Sequence, residues 1–375
     1  MAGIYLHIPF CRKKCMYCDF YSLARISESD KFVDALLQEI ENEKYFLADA
    51  EINTIYFGGG SPSVLSISQI QKIIEKLDQN FNTSNVKEFS FELNPDDAEI
   101  DYLRELKNLG INRLSVGVQS THDRHLKFLS RKHNSATAIN AIENAQKIGL
   151  ENISADLMFG IPNLTTQELA ESIKTVVESG ILHLSIYLLT AEEQTILLRK
   201  IHEGKVSLPD DNTSILQYNL ICEHTREFGF EHYEISNFSK KGFRSMHNSS
   251  YWKGDAYLGL GPSAHSYDGQ KTRRANFSNL KDYINKINKK EISYTSEKLS
   301  DTDLINEFIM TRLRTWEGIN LNEFQNKFGK KHFDKLNISA QKLINQNLLK
   351  AKENFLFIPE NQMLISDNII SSLFQ

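Results

Sequence analysis

Six short apolar runs, each followed by a segment with helical spacing, fill the first half of the chain and leave few folds open. The runs are GIYLHIP, INTIYFGGG, KEFSFELNP, NRLSVGVQS, NISADLMFG and HLSIYLLT. They are rich in Ile, Leu, Val, Phe and Tyr and are bounded by Gly, Pro, Asn or Ser, as strands are. The first intervening segment, SDKFVDALLQEIENEKYFL, sets Phe32, Leu36, Leu37 and Ile40 on one helical face. Three later helical segments run into Gly110, Gly149 and Gly180, as helices closed by a left-handed residue do. Strand–helix alternation predicts parallel βαβ units, because parallel neighbours need a crossover long enough to hold a helix. An open doubly wound sheet and a full or partial barrel both satisfy the pattern. In either, ligands gather at the C-terminal ends of the strands. The conspicuous polar and glycine positions fall there: residues 11–18 and 58–61, Glu92, Gln119 and Asp156.

Beyond Thr190 the pattern loosens. SILQYNLICEHTREFG reads as a further helix, and HYEISNF and AYLGLGPSAHSY as strands and turns. From about residue 300 a helix–helix–helix–short strand order resembles a winged helix-turn-helix. Residues 301–375 carry nine Lys/Arg and nine Asp/Glu, so no basic recognition face is expected there. The whole chain has a formal charge of −5, which argues against a broad nucleic-acid surface. No apolar run reaches eighteen residues, and the N-terminal MAGIYLHIPFC lacks the basic-then-apolar order of a secretory signal. A cytoplasmic, reducing location is the expectation, and structural disulfides are not.

In that setting the segment IPFCRKKCMYCDF holds three of the four cysteines, spaced C-x3-C-x2-C. Clustered thiols in a reduced protein read as a metal or cluster site. Structural zinc wants four ligands, commonly from two knuckles, and only one knuckle exists here. His7 or Asp19 could complete a cramped zinc site. An iron–sulfur cluster accepts thiolates and can leave one iron open to a small molecule. The fourth cysteine, Cys222, sits mid-helix beside Ile221 and reads as a small buried apolar side chain.

C-x3-C-x2-C at the end of a first strand resembles the radical S-adenosylmethionine (SAM) enzymes. The longer string YLHIPFCRKKCMYCDF is similar to one branch of them, the oxygen-independent coproporphyrinogen III oxidase-like proteins with the HemW-type heme chaperones. IYFGGGSPS, FELNP, LSVGVQS, ADLMFGIP, YEISNF, MHNSSYW and LGLGPSAHS continue the likeness over most of the chain. The resemblance implies a partial (β/α)6 barrel in residues 1–230, an extension with the HNxxYW motif in 231–299, and a winged-helix-like α+β domain in 300–375. It implies a [4Fe-4S] cluster on Cys11, Cys15 and Cys18, whose open iron is chelated by the amino and carboxylate groups of SAM. It also implies cleavage of SAM to methionine and a 5′-deoxyadenosyl radical.

The same resemblance carries SAM-binding roles to Gly59, Gly60 and Ser61, to Glu92, and to Gln119, Arg131 and Asp156. Tyr5, Tyr17 and Thr190 match further cofactor positions. Singly, each has an ordinary reading: glycines make turns, and a strand-end glutamate is solvated. An arginine fork suits a carboxylate, and a carboxylate suits a cationic or hydroxyl-rich ligand.

Two departures separate the chain from the oxidases of this branch. They carry a further cysteine two places after the third, where this chain has Phe20, and a longer segment before the first, where this chain has ten residues. Both match the heme-chaperone subgroup. MHNSSYW supplies its H-N-x-x-Y-W pattern: His247 offers an imidazole to iron, and Tyr251 and Trp252 offer flat apolar surface to a porphyrin. His265 is a second candidate ligand. Residues 271–274, KTRR, read as a solvated loop that could pair with propionates. The expectation is a heme chaperone that passes heme to a hemoprotein, with an unnamed electron donor and possible peripheral contact with membrane-bound acceptors. The alternatives are anaerobic coproporphyrinogen III oxidation and a zinc-stabilised scaffold.

Overall fold

A computed structural model describes residues 2–48 and 50–375. The six predicted strands are present as β1 (Ala2–Ile8), β2 (Ile52–Gly59), β3 (Glu88–Leu93), β4 (Arg113–Gln119), β5 (Ile153–Phe159) and β6 (His183–Leu188). They lie side by side in chain order and all run parallel, with helices in the connections. The expected (β/α)6 arrangement is therefore present. It does not close on itself, because both outer strands have other partners.

Antiparallel β8 (Asn237–Ser239) pairs with β6, and β7 (Glu231–Glu234) pairs with β8. On the other side, β9 (Ala256–Leu260) runs parallel to β1. Antiparallel β10 (His265–Tyr267), β11 (Thr272–Asn276) and β12 (Tyr294–Lys298) follow, completing a twelve-stranded sheet. The KTRR segment is thus mostly strand β11 rather than a solvated loop. Its cations are neutralised: Lys271 meets Asp301, Arg273 meets Glu307, and Arg274 meets Glu43.

Local chemistry explains the element ends. The helices Ile67–Asn80 and Thr166–Glu178 begin with capping boxes, Ser66 with Gln69 and Thr165 with Glu168. Gly110, Gly149 and Gly180 take φ of 92°, 74° and 86°, which a Cβ would resist. The parallel strands alternate between two environments. Ile4, Leu6 and Ile8 of β1 are fully buried in the apolar core, whereas Tyr5 and His7 face a cavity.

The C-terminal segment holds the helices Asp301–Leu313, Leu321–Phe328 and Lys330–Asn345. A small antiparallel sheet joins β13 (Ile319–Asn320), β14 (Lys350–Lys352) and β15 (Phe355–Phe357). Its third helix begins well before the predicted SAQKLINQNLL, and a final helix, Ser366–Ser371, follows the sheet. No described helix is long and apolar enough to cross a membrane.

One short helix, Met246–Lys253, is seated by a buried carboxylate far away in sequence. Glu88 at the start of β3 accepts from the backbone N–H of Met246 at 2.7 Å and of His247 at 2.9 Å. It also accepts from the hydroxyls of Ser245 and Ser90. A carboxylate there meets both the unpaired N–H groups of the first turn and the positive end of the helix dipole. Glu88→Ala leaves those N–H groups buried without an acceptor. The expected cost is about 2–4 kcal/mol, read as a lower urea midpoint, with Glu88→Gln intermediate. An unchanged midpoint in Glu88→Ala would remove this role.

Candidate functional site

A cavity of about 1240 Å³ opens at the C-terminal ends of the parallel strands and extends along β9–β11 to the C-terminal helices. That exceeds the space a single drug-sized ligand fills. Cys11, Cys15, Cys18, Glu92, Arg131 and Asp156 are on its wall. So are Tyr5, Tyr17, Gly59, Gly60 and Ser61, and so are Gln119, Thr190, Tyr251 and Trp252. Of the residues to which the resemblance carries a cluster, SAM or HNxxYW role, only His247 is not.

The cysteine loop leaves β1 through Phe10 and is held back by Cys11 N–H donating to Leu23 O at 3.0 Å. All three thiols are half-buried. Burial pushes the Cys11 thiol up to about 11 and raises that of Cys18. Such thiols stay protonated in water unless a cation takes their charge. Around a single zinc ion, ligand sulfurs sit about 3.8 Å apart, from Zn–S bonds of about 2.3 Å. The one trio of donor atoms within 4.8 Å of each other, among the described residues, lies elsewhere: Cys222, His232 and Glu360. His7, a candidate fourth ligand, is buried with Nε2 on Tyr21 O and Nδ1 on the Tyr5 hydroxyl. Three thiols that do not converge as a single ion requires, with His7 already engaged, fit a cube-shaped cluster with one open iron better than a single ion.

The glycine run serves the protein first. A Cβ on Gly58 would fall 2.9 Å from Glu92 Oε1, and one on Gly59 2.8 Å from the His7 ring. One on Gly60 would come within 2.6 Å of Phe10 O. Gly60 N–H donates to Ile8 O at 2.8 Å, which locks the glycine loop to the exit of β1. Close approach is therefore required between neighbouring strands, and the exposed side of the same backbone faces the cavity. Ser61 is buried, and its hydroxyl is held by Ser63 at 2.8 Å and Asn94 at 2.7 Å.

Two carboxyl groups point into the cavity. Glu92 accepts from the Tyr56 hydroxyl at 2.9 Å and from Gly59 N–H at 3.2 Å. Asp156 accepts from Ser115 at 3.0 and 3.1 Å and from Ser154 at 3.4 Å. Burial dominates both, raising Glu92 to about 8 and Asp156 to about 6 against the opposing pull of their donors. Opposite them, Arg131 donates to Asn94 Oδ1 and Gly117 O at 2.9 Å each and points Nη1 at Cys15 Sγ, 3.6 Å away. Gln119 holds φ of 67°, an uncommon conformation for a non-glycine at a strand end.

His247 is sealed. It is 1% exposed, with Nδ1 on Thr54 Oγ1 at 2.8 Å and Nε2 on the Tyr251 hydroxyl at 2.9 Å. Its ring stacks on Tyr56 at 5.0 Å, and burial lowers its pKa to about 3, so it is neutral. The histidine holds Tyr251, and Tyr251 and Trp252 meet the cavity. Cys222 is buried as expected, but its surroundings are polar: Tyr218, His232 and Glu360, the last gripped by Arg226. The spacing of MHNSSYW gave no sign of helix, and the Tyr257, Tyr267 and Arg273 wall carried no motif beyond its neighbours.

The family pattern for the radical SAM superfamily matches residues 5–176, and that for the HemN C-terminal domain matches 299–365. The heme chaperone HemW of Bacillus subtilis is 34% identical over 376 residues, covering 99% of both chains. That of Lactococcus lactis is 31% identical over 97% of this chain and 95% of its own. A zebrafish protein, radical S-adenosyl methionine domain-containing protein 1, mitochondrial, is 35% identical over 70% of this chain and 60% of its own. The solved coproporphyrinogen III oxidase HemN of Escherichia coli superposes with a TM-score of 0.86 at 22% identity, covering 100% of this chain and 90% of that one. This last likeness establishes the fold.

The raised Glu92 carboxyl makes stability depend on pH in a definite direction. Its folded pKa of about 8 lies above the ordinary 4.5, so its contribution is complete below 4.5 and is lost as pH rises through 8. Without added ligand, the melting temperature of wild type should fall relative to Glu92→Gln between pH 5 and 9. Parallel curves would mean that Glu92 is not desolvated.

Proposed function

This chain belongs to the heme chaperone HemW family within the radical SAM superfamily, and from that membership and the shape of its cavity we propose that it binds heme and hands it to an acceptor hemoprotein. The observation that carries the reading is a single large cavity. It joins a cysteine loop and a charged strand-end site to an aromatic wall built from the HNSSYW helix. Superfamily membership implies a [4Fe-4S] cluster and SAM. Cys11, Cys15 and Cys18 would hold the cluster and leave one iron open. A bound cluster would supply one-electron reducing chemistry toward SAM.

The chain's own residues do the rest. Glu92 and Asp156 supply negative charge for a cationic ligand, and each is more fully ionised once that ligand is present. Arg131, half-buried beside Cys15, offers its fork to a carboxylate and balances thiolate charge. The glycine loop presents backbone close to the cysteine loop. Tyr251 and Trp252 give a porphyrin flat surface with a polar edge. Tyr5, Tyr17, Gln119 and Thr190 border the same space and would orient the cofactor.

The oxidase reading is disfavoured by Phe20. Where the resembling oxidases carry a further cysteine, this chain places an exposed phenyl ring on the cavity wall.

Anaerobically prepared wild type should bind hemin saturably, near one equivalent per chain. Replacing Cys11, Cys15 and Cys18 together by Ala should abolish iron and sulfide retention while leaving hemin binding in place. Zinc in place of iron would reject the cluster. Protoporphyrinogen formed from coproporphyrinogen III with SAM and a reductant would reject the chaperone reading in favour of the oxidase.

A further inference from the structure

Resting on the heme reading of the cavity, we propose that His265 of β10 supplies the imidazole to the heme iron, and that His247 acts only by positioning Tyr251. Iron ligation needs a ring nitrogen with a free lone pair on an open surface. Among the described residues two histidines border the cavity, His7 and His265. His7 is buried with both nitrogens engaged. His247 is off the cavity wall and likewise has both nitrogens engaged. His265 is exposed, and no described residue hydrogen-bonds its ring.

The surrounding strands aim it. His265 and Tyr267 project from one face of β10, while Ser266 projects from the other. There the Ser266 hydroxyl receives Gly259 N–H at 2.9 Å and donates to Gly259 O. A Cβ on Gly259 would lie 2.0 Å from His265 O, so only glycine lets β10 cross β9 this closely. Tyr257 and Tyr267 pair in register across β9 and β10, and Tyr251 meets Tyr257 edge-on at 4.7 Å. His265 thus borders the same cavity as these tyrosines and Trp252. Partial desolvation and the nearby Arg273 lower its pKa, while Glu297 opposes them. Arg273 is itself held by Glu307, at 2.6 and 3.0 Å. Lys253 and Lys327 border the same space and enter no ion pair among the described residues, which leaves them for carboxylate groups of the porphyrin.

The step is a coordination bond: the imidazole nitrogen donates its lone pair to the iron, and neither is oxidised or reduced. The test is an anaerobic hemin titration of the full-length chain, followed by the Soret band and by electron paramagnetic resonance. Wild type, His265→Ala and His247→Ala are compared after reconstitution to equal iron and sulfide. His265→Ala should bind hemin about tenfold or more weakly and lose the imidazole-ligated spectrum, and free imidazole should restore it. His247→Ala should keep that spectrum even if its affinity falls. An unchanged spectrum in His265→Ala, or its loss in His247→Ala alone, overturns the assignment while heme binding stands. Absence of saturable hemin binding by wild type overturns the heme reading itself.

Discussion

Strand β1 is hydrogen-bonded on both edges, to β2 and to β9, and the rest of the molecule is arranged around that double pairing. Its even positions anchor the apolar core, Tyr5 and His7 line the cavity, and its end launches the cysteine loop. Because β2 lies on one side, the glycine loop after β2 is forced against the loop after β1. Because β9 lies on the other, the aromatic wall stands next to Tyr5 and His7. One strand thus brings a soft-ligand loop, a charged pocket and an aromatic face within a single cavity.

The charges in that cavity are arranged for an occupant rather than for one another. Glu92 and Asp156 are each bonded to hydroxyls or backbone instead of to a cation, and burial holds both above the ordinary carboxylate range. Arg131 is spent on neutral oxygens and a thiol. A structural network would pair these opposite charges directly. Leaving them apart costs stability and keeps them available, the usual compromise at a functional site.

The alternation of strand and helix was legible in the residues because each signal is local: apolar period, capping box, terminal glycine. All six parallel strands follow from it, but not their order in the sheet, since a doubly wound sheet satisfies the same pattern. The cavity residues at strand ends were legible for the same reason, once strand ends were known. The MHNSSYW helix was not, since eight residues with one buried side chain leave no apolar stripe. Nor was the sealing of His247, whose partner Thr54 lies 193 positions away and whose helix hangs on Glu88. KTRR read as a loop because its charges look solvated. The acids that neutralise it come from two distant segments, Glu43 and the helix Asp301–Leu313. Sequence named the chemistry of each group but not which groups turn toward one another.

The pairing of β1 with β9 also sets a schedule for synthesis. β1 leaves the ribosome before β9, and this second partner, about 250 residues later, follows after roughly 12–50 s at ordinary elongation rates of about 5–20 residues per second. Throughout that interval a nearly all-apolar strand carries one open edge, the configuration most prone to pairing with another chain. The nascent protein is therefore exposed to aggregation along the same strand that later organises its site. A helper that covers β1 during elongation would act on yield without touching the finished molecule.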